Sequence, residues 1–234
     1  MGAGFIEHRP AHAGHTLLTI VVDDLDAFAA VAVDRGVEPA KRETYPNGVR
    51  KADIHDPDGN ELSFGVVSLP TEADGGWQLG YTLEAIIGSA GALRAAVSHL
   101  PAAVLVPLAQ DLALVPMTDE LFDAVTDGTT QNVLGFWALP GGFDRELTSW
   151  SSAGPVGYVE ADFFGGVGSQ RSALWVAGEL VFGPLHVGPG EPFPPEGSPI
   201  AQMLARLGVE RDGHRDEFEA IGLGRHRETA DWLP

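Results

Sequence analysis

Two hydrophobic periods organise the first seventy residues. The run HTLLTIVV (15–22) is β-rich, is bounded by Gly14 and Asp23-Asp24, and predicts a strand. Beyond it Leu25, Phe28 and Ala32 recur at helical spacing. Asp24 stands where a side chain can cap that helix, and Gly36 where a helix closes. A short strand is expected from Val37 to about Arg42. Val49 to His55 then alternates, with Ala52 and Ile54 on one face and Lys51, Asp53 and His55 on the other. Glu61 to Val67 alternates again, Leu62, Phe64 and Val66 against Glu61, Ser63 and Gly65. Pro46-Asn47-Gly48 and Asp56-Pro57-Asp58-Gly59 are turn signals between these runs. The predicted order is β-α-β-β-β.

The polar, Gly- and Pro-containing stretch 68–77 predicts a linker at 71–77 and a second domain over 78–234. That domain opens on a strand from Leu79 to Ile87, followed by a helix capped by Ser89 and running through His99. Ala103 to Val106 and Leu112 to Val115 read as short strands. Thr118, with Asp119 and Glu120 after it, caps a helix to about Val125. Residues 129–150 carry no clear period and are broken by Pro140-Gly141-Gly142. Val156 to Ala161 is a strand, Phe163 to Gly168 (FFGGVG) a glycine-rich bend, and Ser172–Val176 with Glu179–Phe182 a hairpin about Ala177-Gly178. Gly183 to Gly197 reads as a loop. Ser198, Pro199 and Gly208 mark a helix to about Leu207, and a further turn or two is expected over 216–221. The fold class expected is α+β: one βαβββ half-module, residues 1–70, followed by a separate mixed α/β domain without internal repeat.

The segment HTLLTIVVDDLDAF…RGVEP…NGVRKADIHDPDGNELSFG resembles the C-terminal module of vicinal oxygen chelate proteins, the glyoxalase, bleomycin-resistance and dioxygenase superfamily. The DPDGN turn ahead of an apolar strand, in a β-α-β-β-β setting, is the most specific element. The resemblance covers about residues 13–67, under a third of the chain. It implies a cupped sheet around a small organic ligand, built in the family from two such modules. One module cannot close the cup, so a second wall is expected from a homodimer through the N-terminal module, or from a first module encoded in frame ahead of Met1.

The resemblance also implies where a divalent metal would be held. Family enzymes take one ligand, usually His, from the module's first strand and one, usually Glu, from its last. Those positions hold Leu17 and Ser63 here, neither a competent replacement. His15 and Glu61 stand two residues away on the same strand parity and form the alternative, displaced site. With no cofactor expected, the concave face still carries His15, Thr19, Asp53, His55, Glu61 and Ser63 as candidate ligand-binding residues.

In the second domain YVEADFFGGVGSQRSALWVAGELVF, with MLARLGV and DEFEAIGLGRHRETADW, resembles an uncharacterised family of small bacterial proteins, which carries no catalytic residues over. Read from the residues, Glu160 and Asp162 share a strand face and are either paired carboxylates or exposed acids. Gln170 and Arg171 either complete a pocket or pair with nearby acids. Arg225-His226-Arg227 anchors an anion or locks the C-terminus, and Trp232 is expected to pack into the body. No Walker A loop, Gly-x-Ser-x-Gly elbow or His-Glu-x-x-His helix occurs.

Composition narrows these readings. The chain has no cysteine, which excludes disulfides, thiolate metal sites and a cysteine nucleophile. Its formal net charge is -19, so nucleic acid and anionic membrane are poor partners. No apolar run reaches the roughly 20 residues of a membrane span, and a cytoplasmic location is expected. Three functions fit: a metal-free small-molecule binder fused to a ligand- or partner-binding domain, a metal-dependent lyase or dioxygenase completed by a second subunit, or an immunity-type protein whose acidic second domain covers a protein partner. The residues leave open whether any reaction is catalysed.

Overall fold

The computed structural model describes residues 17–22, 24–37, 41–45, 50–55, 61–66, 80–128, 133–164 and 167–234. The linker 71–77, both early turn signals, the tip of FFGGVG and His15 lie outside them. The fold is α+β, and the chain divides into two compact units, Met1–Ser68 with Gly128–Thr130, and Leu69–Asp127 with Gln131–Pro234.

The first unit has strands β1 (Leu17–Val21), β2 (Lys41–Thr44), β3 (Arg50–His55) and β4 (Glu61–Val66), with helix α1 (Leu25–Asp34) between β1 and β2. The sheet order is β1-β4-β3-β2; β1 runs parallel to β4 and the other pairs are antiparallel. Asp24 caps α1, its Oδ1 accepting from the backbone N–H of Asp26 and Ala27 at 3.0 Å. Leu25 of α1 packs with Ala52 and Phe64 of the sheet, and the Phe28 and Phe64 rings stack at 4.0 Å. Arg50 donates to Asp26 at 2.7 Å, tying the start of the helix to β3.

Strand β2 begins later than its expected start at Val37. The Val37 N–H donates to Ala32 O and closes the C-terminus of α1, with Gly36 at φ 81, so this residue belongs to the helix end. The strand that follows is charged, and its register sets Lys41 beside Asp53 and Glu43 beside Lys51.

The second unit is built on an antiparallel sheet of order β10-β9-β8-β5-β7-β6. Its strands are β5 (Gly80–Ser89), β6 (Val106–Pro107), β7 (Leu112–Pro116), β8 (Val156–Phe164), β9 (Val167–Val176) and β10 (Glu179–Val187). Helices α2 (Ala90–Ala96), α3 (Asp119–Val125) and α4 (Phe143–Trp150) cover one face. Helices α5 (Pro199–Arg206) and α6 (Glu217–Ala220) and the C-terminal segment cover the other. Alternation along β5 feeds both cores: Leu83, Ala85 and Ile87 join the α5 side and Ile86 the α4 side. Such double burial accounts for the apolar run Ala85-Ile86-Ile87 in β5.

Several elements depart from the sequence reading. Helix α4 lies in the stretch without a clear period; its N-cap is Gly142 at φ 77, with no side-chain cap to announce a helix start. The expected strand from Ala103 is a turn closed by Ala103 N–H to Leu100 O, and pairing starts at Val106. Strand β10 continues through Pro184 to Val187, where a loop was expected. As an edge strand it tolerates a residue without an N–H, and its register shifts on both sides of Phe182.

Strands β8 and β9 also reach into FFGGVG, to Phe164 and back from Val167. Gly168 is a strand residue because the neighbouring backbone lies where its Cβ would go, against Asp162 O and the Phe163 Cα. Gly168→Ala is therefore expected to cost roughly 1–3 kcal/mol, the usual range for overpacking. Gly91→Ala, in α2 with open space around the added Cβ, is expected to stabilise by up to about 1 kcal/mol. Denaturant unfolding of the two variants checks the contrast, which fails if both move in the same direction.

Candidate functional site

Asp53 and Ser63, singled out from the sequence, lie on the face of the first sheet opposite the Ala52 and Phe64 side that packs on α1. Their side chains are joined. Ser63, fully buried on β4, donates its Oγ–H to Asp53 Oδ1 at 2.6 Å across the β3–β4 ladder. Lys51 Nζ lies 3.8 Å from the same carboxylate oxygen. Asp53 thus has a hydroxyl and an ammonium for partners, as a buried carboxyl group requires. The register sets Thr19 beside Ser63 and His55 beside Glu61. His15 and the side chains of Thr19, His55 and Glu61 lie outside the described residues.

The positions from which the family would hold a metal are occupied by Leu17 and Ser63. Leu offers no donor, and the Ser63 hydroxyl is already committed to Asp53. Among the described residues no cluster of three or more His, Asp or Glu could hold a metal ion. Leu17 and the committed Ser63 hydroxyl do not by themselves supply the donors a divalent cation needs.

The second unit holds a buried acidic network on the α4 side of its sheet. Glu84 of β5 and Glu160 of β8 are cross-strand neighbours, and Arg171 of β9 stands beside Glu160. Glu160 is fully buried and accepts from the backbone N–H of Trp137 at 2.8 Å and of Ala138 at 2.6 Å. Arg171 Nη1 lies 3.7 Å from Glu160 Oε2, an ion-pair distance rather than a hydrogen bond, while its guanidinium lies 3.6 Å over the Trp137 ring. Glu84 accepts a short hydrogen bond from the Thr229 hydroxyl. Thr82 N–H donates to Arg227 O, so the C-terminal segment is sewn to β5 at two points.

These contacts answer the sequence alternatives for this region. Glu160 is a buried acceptor that holds the 137–138 backbone, which the sequence reading as an exposed acid missed. Arg171 pairs with that acid, whereas Gln170 lies on the opposite sheet face, where its Oε1 accepts from Ile200 N–H at 3.3 Å. Trp232 is buried as expected, with Arg225 4.8 Å over its ring and His226 against it. Asp231 accepts from the backbone N–H of Arg227 and Glu228, which adds a backbone-mediated fastening to these ring contacts.

Burial pushes both carboxyls up from the usual carboxylate range, Glu84 to about 7 and Glu160 to about 7, against the opposing effects of Thr229 on the first and of the Trp137 and Ala138 N–H groups on the second. A folded-state pKa above the unfolded one means that the folded protein holds protons the unfolded chain releases. The two acids add nothing to the pH dependence well below pH 4.5 and progressively destabilise the fold from about 4.5 to 7. Glu84→Gln keeps an acceptor for Thr229 and removes one of the two titrations. The expected outcome is a smaller loss of unfolding free energy between pH 5 and pH 7.5 than in the parent. Guanidinium unfolding at the two pH values reads this, and equal losses would dispose of it.

The molecule is thus a βαβββ unit with one polar sheet face, followed by a doubly covered antiparallel sheet. Residues 1–64 match the family model of the Glyoxalase/Bleomycin resistance protein/Dioxygenase superfamily. Among solved structures, a glyoxalase/bleomycin resistance protein from Catenulispora acidiphila DSM 44928 is 59% identical over 25% of this chain and 53% of its own, with a TM-score of 0.24. The match therefore spans about half the length of that protein. No curated protein matches the chain. No helix among the described residues is long and apolar enough to cross a membrane.

Proposed function

We propose that this chain binds a small organic molecule on the open face of its glyoxalase-like module, without a catalytic metal, and that the module pairs with a second copy to close the site. The observation that carries this reading is the Ser63–Asp53 hydrogen bond. It puts a committed neutral hydroxyl where the family would use a ligand carboxylate, and leaves a polar, partly charged patch suited to orienting a ligand by hydrogen bonds. The four-stranded order β1-β4-β3-β2 supports the pairing, since one open sheet offers a floor with no opposite wall. The second unit is read as a ligand- or partner-binding domain fused to this module.

The reading is tested with chelator-treated, metal-free protein. Bleomycin, the ligand class in the name of the matched family, is titrated calorimetrically, with sedimentation of the same sample. Binding to a dimer at micromolar protein is expected, at the same affinity before and after loading with Zn²⁺, Mn²⁺ or Ni²⁺. Asp53→Asn, which removes the charge beside Lys51, is expected to weaken binding several-fold. Binding that appears only after metal loading, or by a monomer, would overturn the proposal, as would no binding at all.

A further inference from the structure

The second unit contains a cavity of about 740 Å³ on the α5 side of its sheet, entirely separate from the Glu84–Glu160 network on the other face. Its volume lies within the range of small-molecule sites. Four aromatic rings line it in two pairs. Tyr81 and Phe218 meet edge to face at 5.5 Å between ring centres, and Phe163 and Phe193 lie tilted at 6.3 Å. Phe193 is 46% exposed, a large apolar ring that the fold leaves uncovered at the cavity wall.

Charge is distributed unusually here. Beyond residue 70 the chain carries 22 acidic and 8 basic residues, and three of those eight, Arg211, Arg215 and Arg227, line this one cavity. Two acids also line it, Glu196 and Asp216. Asp216 is engaged: it caps α6 through Glu219 N–H and lies 3.6 Å from Arg215 Nε. Arg211 donates Nε–H to Glu217 at 2.8 Å, which fixes its guanidinium. Three arginines against two lining acids make the cavity less acidic than the unit as a whole, with Arg211 paired to Glu217 and Arg215 to Asp216.

The polar floor supplies an independent observation. Gln170 is 7% exposed and lines the cavity. Its Oε1 is held by the Ile200 N–H at the start of α5, which fixes the amide orientation. Its Nε2 is a further N–H donor on a side chain that lines the cavity. Ser198, the N-cap of α5, lines the same floor.

We infer that this cavity is a binding site for a planar organic anion, its ring held between the Tyr81/Phe218 and Phe163/Phe193 pairs and its carboxylate accepting from Gln170 Nε2 and the arginines. Aromatic walls recognise the flat apolar body, and guanidinium groups with an amide N–H recognise the oxyanion. The site lies wholly in the second unit, so it rests on no assumption about the N-terminal module's ligand.

The test uses the full chain, with 1-naphthoate as probe and 1-naphthalenemethanol as its uncharged analogue, both titrated calorimetrically at low ionic strength. Naphthoate is expected to bind at least 10-fold tighter than the alcohol. Arg215→Glu and Phe193→Ala alter exposed side chains and should leave the unfolding midpoint unchanged. Together they are expected to weaken naphthoate binding at least 10-fold, whereas Asp53→Asn in the first unit should leave it unaltered. The inference is overturned if naphthoate does not bind at millimolar concentration, if the alcohol binds equally well, or if the double variant retains full affinity. Loss of binding in Asp53→Asn alone would move the ligand to the N-terminal module and likewise overturn it.

Discussion

The second unit depends on the pairing of β5 with β8. Nine rungs join them, from Gly80 beside Phe164 to Gly88 beside Val156. The two strands lie at the centre of the sheet, so their alternation assigns side chains to both cores at once. That register also sets Glu84 beside Glu160 on one face, and brings Tyr81 and Phe163 into register on the other. A slip of one residue would bury aromatic rings where the acids sit and carboxylates where the cavity opens. The acidic network and the aromatic cavity are therefore two consequences of a single pairing.

Burying Glu160 is costly, and what offsets the cost also organises the fold. Its oxygens serve the Trp137 and Ala138 N–H groups, and Tyr158 donates to Ala138 O at 2.7 Å from the same strand face. The irregular segment before α4 thus gains backbone partners from the sheet rather than from a neighbouring strand. Arg171 compensates the charge at ion-pair distance, its Nη1 making no hydrogen bond among the described residues. A carboxylate held this way is a fastening between layers. The geometry gives it no open approach for a substrate, which separates it from the Gln170 side of the sheet.

Much of the element order was legible because capping and alternation are local. Asp24, Ser89, Thr118 and Ser198 each cap the helix expected after them. The alternation of β3 and β4 correctly separated Asp53 and Ser63 from Ala52 and Phe64. What was illegible depends on partners distant in sequence. Helix α4 begins at a left-handed glycine, which reads as a break. Pro184 reads as a loop residue until its strand is known to lie on an edge. The burial of Glu160 needs the 137–138 backbone more than twenty residues earlier. The cavity draws on residues from Gly80 to Arg227, and no local period marks that convergence.

The two units solve the problem of a polar sheet face differently. In the first, Ser63 donates to Asp53 across the β3–β4 ladder and Lys51 stands 3.8 Å from the same carboxylate, so these three groups are partnered before any ligand arrives. Such a face contributes orientation, and shape must come from whatever supplies the opposite wall. In the second, the wall is already present, provided by α5, α6 and the C-terminal segment, and the cavity is lined by the Gln170 amide together with aromatic rings and arginines. A cavity whose walls belong to one folded unit has already met much of the conformational cost of assembling its site, whereas an open sheet face has yet to acquire a wall. On these grounds the cavity beside Gln170 is the part of the molecule most fully organised for a ligand.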